Sequence, residues 1–96
     1  MRFLSRVRHT FTITGRGCVI VPEISRFEFP YRVSVQDAIQ LRKPDGQIVS
    51  THIAGMELFT GLGVEDRVGF LLMDIAKPDV PGGTEIWLST REENLL

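Results

Sequence analysis

The chain is expected to be an all-β protein, a small closed antiparallel Greek-key β-barrel of six to seven strands. Three observations predict this. β-Branched and aromatic residues recur in short runs broken by Gly, Pro and Asp. No stretch carries apolar residues at a sustained helical spacing. Six or seven short strands in an open sheet would also leave long unpaired edges that invite aggregation, and closing the sheet removes them.

The elements follow in order. His9–Thr14 alternates, with Phe11 and Ile13 on one face. Gly15-Arg16-Gly17 is a tight turn, and its glycines leave Arg16 to project into solvent. A second strand spans Cys18–Ile24, and its Pro22 demands an edge or a bulge because proline donates no ladder hydrogen bond. Ser25–Arg32 is an irregular connection whose Phe27, Phe29 and Tyr31 are expected to fold over one mouth of the barrel. Ala38–Arg42 is a strand, and Lys43-Pro-Asp-Gly-Gln47 is a hairpin turn in which proline presets one φ and glycine accepts a positive one. Ile48–Phe59 reads as one long strand bent at Gly55, and Gly61-Leu62-Gly63 as a break. Arg67–Asp74 is almost continuously apolar and is expected to be the most buried strand. Pro78–Pro81 suits a single helical turn, and Glu85–Ser89, with Trp87, is the last strand before a frayed end at Glu92–Leu96.

At 96 residues this is one domain, with residues 1–8 and 90–96 read as flanking termini. Eleven basic and twelve acidic residues nearly cancel, so no net field draws the protein to nucleic acid or a membrane. The basic residues do gather at the start, as Arg2, Arg6, Arg8, His9 and Arg16. One cysteine, Cys18, forms no internal disulfide and fits a reducing cytoplasm. No apolar run has the length of a signal peptide or a membrane span.

Enzymatic chemistry finds little support. His9, Cys18 and His52 match no compact zinc spacing, so no metal or other cofactor is expected. Cys18 could approach His9 across the Gly-Arg-Gly hairpin, but no helix N-terminus is at hand to lower its pKa, and a buried inert thiol is the simpler reading. Glu57, Glu65, Asp66 and Asp74 are explained equally well as solvated surface. Gly15-Arg16-Gly17 lacks the Gly-Lys-Ser/Thr ending of a phosphate loop.

Several motifs together resemble the second domain of translational GTPases such as elongation factor Tu, here standing without a nucleotide-binding domain. The residues carrying the resemblance are Phe11, Ile13, Gly15, Arg16, Gly17 and Val19 in an opening hairpin. Val35, Asp37 and Ile39 follow, where the family has a Val-Gly-Asp step and this chain has Gln36 for the glycine. Ile53, Glu57 and Phe59 match a Glu-Met-Phe strand, and Val68, Gly69, Leu71, Leu72 and Ile75 a later core strand. The resemblance implies a β-barrel that grips the aminoacylated 3′ end of tRNA. The matching positions are Ile13, Gly15, Val19, Glu57 and Leu71, with apolar covers for a base and a carboxylate for a ribose hydroxyl or exocyclic amine. Thr60, Glu65 and Arg67 depart from the family pattern, and Arg67 offers a positive charge in another geometry.

Three functions remain. The first in order is a protein-interaction module, self-association included, using apolar residues such as Phe27, Phe29, Tyr31, Leu58, Leu62 and Trp87. The second is an RNA-binding module for tRNA or ribosomal RNA through Arg2, Arg6, Arg8, Arg16 and Arg67. The third is a small-ligand site at the barrel mouth near Glu57.

Overall fold

The computed structural model describes the backbone of residues 1–61 and 64–89, and their side chains apart from those of 59–66. The break at Gly61–Gly63, the end at Glu92–Leu96, and the side chains of Leu62, Glu65 and Asp66 therefore lie wholly or in part outside the described residues. The strands are β1 (Arg2–Ile13), β2 (Gly17–Pro22), β3 (Ala38–Arg42), β4 (Ile48–His52), β5 (Gly55–Gly61), β6 (Val64–Leu72) and β7 (Glu85–Leu88). Short 3-10 turns occupy Arg26–Glu28 and Lys77–Asp79. Among the described residues no helix is long and apolar enough to cross a membrane.

The protein is all-β, and its seven strands form one antiparallel sheet in the order β4-β3-β7-β1-β2-β6-β5. Among the described residues hydrogen bonds do not close this sheet into the expected ring: β4 and β5 are its edges. β4 runs into β5 through Ile53 and Ala54 without a hairpin turn, so the chain passes on from its pairing with β3 to its pairing with β6. Ile53 N–H donates to Asp37 O (3.0 Å) and Ala54 N–H donates to Leu71 O (2.8 Å), which ties the junction to both ends of the sheet. The bend expected at Gly55 thus falls at the two residues before it.

β1 is also shared between two neighbours. Arg2–Arg6 pairs with β7, and Val7–Ile13 pairs with β2. The sheet therefore has a β3 half (β4, β3, β7 and the start of β1) and a β2 half (the end of β1, β2, β6 and β5). The core draws on both. Ile20, Phe70 and Leu72 come from the β2 half, Ile39, Leu41 and Ile86 from the β3 half, and all are fully buried. Each such side chain contributes about 1.5–3 kcal/mol on leaving water.

Of three local features, the first and third differ from expectation and the second, the bulge at Pro22, meets it. β1 begins at Arg2, not His9, because Leu4 and Val7 belong to the core (4% and 7% exposed), so residues 2–8 are strand where a flanking end was expected. Pro22 sits in a strand with neighbours on both sides, but at its end, opposite Val7, where Arg8 is an extra residue in the β1 ladder. That bulge is the place a proline tolerates. Of the connecting aromatics, Phe29 packs on Phe70 (ring centroids 6.0 Å) and the Tyr31 hydroxyl lies 2.9 and 2.8 Å from the carbonyl oxygens of Arg2 and Phe3. Phe27 instead stands 71% exposed.

The hairpin turns are as expected. Lys43 N–H donates to Gln47 O (2.8 Å), and Gly46 takes φ 90°. Arg16 N–H donates to Ile13 O (2.9 Å), and Gly15 takes φ 77°.

Candidate functional site

The bulge at Arg8 decides which residues the β2 half shows to the outside. Val7 faces the core, and without an extra residue His9, Phe11 and Ile13 would face it too. With the extra residue, Thr10 and Thr12 pair with the core positions Ile20 and Cys18, while His9, Phe11 and Ile13 turn outward. Phe11 is 48% exposed and half-stacked on His9, with ring centroids 6.0 Å apart. The alternation found in the sequence is real, but its apolar side is the outer one.

The other strands continue this face. Val19 and Val21 alternate with Cys18 and Ile20; they are buried (3% exposed each) yet stand outside the core cluster, as residues of the opposite face must. The ladder aligns Phe11 with Val19, Val19 with Leu71, and Leu71 with Gly55. A side chain built on Gly55 would meet that of Leu71 at 3.6 Å, which places both on this surface. Glu57, two residues along β5, is exposed and pairs with Gly69. The outer face of the β2 half is thus an apolar band, Phe11–Val19–Leu71, that ends in a glycine and has Glu57 beside it.

The sequence-predicted residues fall into three groups on this half. Val19 and Leu71 are neighbours, and Glu57 lies on the strand next to Leu71. Ile13, Gly15 and Arg16 instead line a cleft of about 490 Å³ between the β1–β2 turn and the stretch from Met73 to Pro78. Val19, Glu57 and Leu71 are not in its walls, so these residues do not build a single base pocket. Phe59 pairs with Arg67 in the ladder, and its side chain lies outside the described residues.

Arg67 is spent on structure. Its Nη1 donates to Pro22 O (3.3 Å) and to Glu23 O, which clamps β6 to the end of β2. Arg6 lies 3.8 Å from Glu85. Two of the five arginines expected to form a polyanion surface therefore already have partners. Cys18 and His9 do not meet: Cys18 is fully buried and faces inward, whereas His9 pairs with Val21 on the outer face. Burial pushes the Cys18 thiol above its ordinary value, and the Asp79 carboxylate adds to the rise.

The outer face of the β3 half contrasts with this one. Phe3 and Trp87 meet edge to face (centroids 5.6 Å), and the Arg42 guanidinium covers the Trp87 ring at 3.9 Å. Trp87 Nε1 donates to Glu85 (2.9 Å). Trp87, Phe29 and Tyr31, named in advance as contact residues, are therefore engaged within the molecule, while Phe27 and Leu58 are exposed. The sequence reading did not assign Phe11 to the surface; the one signal was that the alternate positions in that strand are threonines.

No family model matches the chain.

Proposed function

We propose that this protein is a non-enzymatic binding module of the translation-factor barrel type, and that it holds another protein on the outer face of its β2 half. One observation carries the choice of surface: the band from Phe11 through Val19 and Leu71 is apolar and lies outside the core cluster. Val19 at the centre of the band is already covered within the chain (3% exposed), and Phe11, 48% exposed, is the part that reaches solvent. A half-exposed aromatic beside an apolar strand face, with polar margins, is what a protein partner covers.

Two features support the barrel reading. Among the described residues Gln36 is the non-glycine residue with positive φ (78°), and it occupies the position where the resembled family has glycine. The run from β4 into β5 also joins the two edges of the sheet along a single length of chain. The RNA reading is served less well, because Arg67 and Arg6 already have partners within the chain.

A photoreactive benzoylphenylalanine replacing Phe11 tests the assignment in cells. Crosslinks to polypeptide are expected from position 11. They are not expected from the same group at Ile48, which is 54% exposed on β4. Adducts to RNA, or equal protein yields from both positions, would overturn it.

A further inference from the structure

We infer that the cleft between the β1–β2 turn and the stretch from Met73 to Pro78 binds a small amphoteric molecule, one with a free carboxylate, an ammonium group and an aliphatic body. The inference does not rest on the protein-binding face, because Val19, Glu57 and Leu71 are not in the walls of this cleft. Both signs of charge line the one cavity. Arg16 stands on the turn side, and Asp74 and Lys77 stand on the facing stretch. All three are exposed, and among the described residues none of their side chains has a hydrogen bond or an ion pair. The charge next along behaves otherwise: Asp79 lies 4.0 Å from Lys43.

Opposite charges that share a cleft without meeting select a ligand of matching pattern. A plain anion is drawn to Arg16 and Lys77 but repelled by Asp74, and a plain cation meets the reverse. A molecule with a carboxylate for the two cations and an ammonium for Asp74 satisfies all three. The rest of the wall is apolar. Ile75 belongs to the core cluster and is 7% exposed, Ile13 is half-buried, and Met73 is 45% exposed. An aliphatic side chain laid against them leaves water.

Size and exposure set the strength. The volume of about 490 Å³ falls within the roughly 300–1,000 Å³ of small-ligand sites. Exposed ion pairs are weak, each changing affinity at most about fivefold. Binding therefore belongs near about 1 mM.

Titration of the isotope-labelled full chain with leucine, to about 20 mM and followed by amide chemical shifts, tests the inference. Saturable shifts are expected at Gly15, Gly17 and Ala76. Isocaproate, which lacks the ammonium, and leucine methyl ester, which lacks the anionic carboxylate, should each bind about two- to fivefold more weakly. Arg16→Gln and Lys77→Gln should each lower leucine affinity by a similar factor and keep the unfolding midpoint, since both side chains are exposed. Asp74→Lys should reverse the order, so that isocaproate binds more tightly than leucine; a merely structural role for Asp74 would not produce that reversal. If Asp74→Lys fails to fold, Asp74→Asn should erase the advantage of leucine over isocaproate. Shifts that stay linear or absent to about 20 mM, shifts confined to other amides, or equal binding of leucine and isocaproate by the unaltered chain overturns the inference.

Discussion

Gly17 shows how much a single residue can govern here. It takes φ 129°, and a Cβ on it would lie 2.1 Å from Leu72 O and 2.7 Å from Met73 O. No side chain fits there unless β2 and β6 move apart. Gly17→Ala is therefore expected to cost at least about 3 kcal/mol, whereas Gly15→Ala, with φ 77° and open space around it, should cost about 1–2 kcal/mol for the left-handed backbone alone. Urea titration of both variants checks the ranking. Gln36 presents the reverse case. It holds φ 78° because its N–H donates to Ile53 O (2.7 Å) while Asp37 Oδ2 accepts from Ser34 N–H (2.8 Å). Gln36→Gly keeps those backbone bonds and relieves the strain, so it should stabilise by about 1 kcal/mol. Two groups set the alkaline behaviour. Burial raises Cys18 above 9.0, aided by Asp79, and burial raises Tyr31 above 10.0, opposed by Arg2. The folded protein thus keeps both neutral at a pH where the unfolded chain releases its protons. Their contribution is complete below pH 9.0 and is lost as pH rises from there through the higher folded values. Urea midpoints should fall between pH 8 and about 10.5, and Cys18→Ala combined with Tyr31→Phe should flatten the decline.

At the scale of elements, β1 organises the molecule. Its first half supplies Leu4 and Val7 to the core, a partner for β7, and the two carbonyls reached by the Tyr31 hydroxyl. Removing residues 1–7 would expose the β7 edge and open the core. The truncated chain is expected to lose its cooperative thermal transition, and a sharp transition retained after truncation would refute this role. The same strand explains why the sequence was legible only in part. Turn chemistry is local, so Lys43–Gln47 and Gly15–Gly17 were readable, as were the strands between them. Whether Arg2–Arg8 forms a strand depends on β7, which lies far along the chain, and a run rich in arginine carries no such mark. Nor does a bulge announce itself. Arg8 looks like any exposed residue, yet it reverses the facing of His9, Phe11 and Ile13. For that reason Val19, Glu57 and Leu71 were readable as a group, while the side to which the aromatic beside them turns was not.

For the whole molecule, the decisive place is the junction between β4 and β5. Among the described residues β4 and β5 share no ladder bonds, so the backbone links between the halves are β1 and Ile53-Ala54. Ile53 is fully buried and bonds Asp37 on one side, and its neighbour bonds Leu71 on the other. If the halves were separate units, loosening this point would release β3 and β4 first and leave β2 and β6 protected. If they share one core, both must loosen together, and the mixed origin of that core favours the second outcome. Ile53→Ala removes a fully buried side chain and should cost about 2–5 kcal/mol. Native-state hydrogen exchange then separates the alternatives. Amides of Leu41 and Ile86 in the β3 half and of Ile20 and Phe70 in the β2 half are expected to lose protection by the same free energy, because each exchanges through global opening. Loss confined to Leu41 and Ile86 would show that the molecule consists of two sheets meeting at a hinge, with β1 no more than a strap between them.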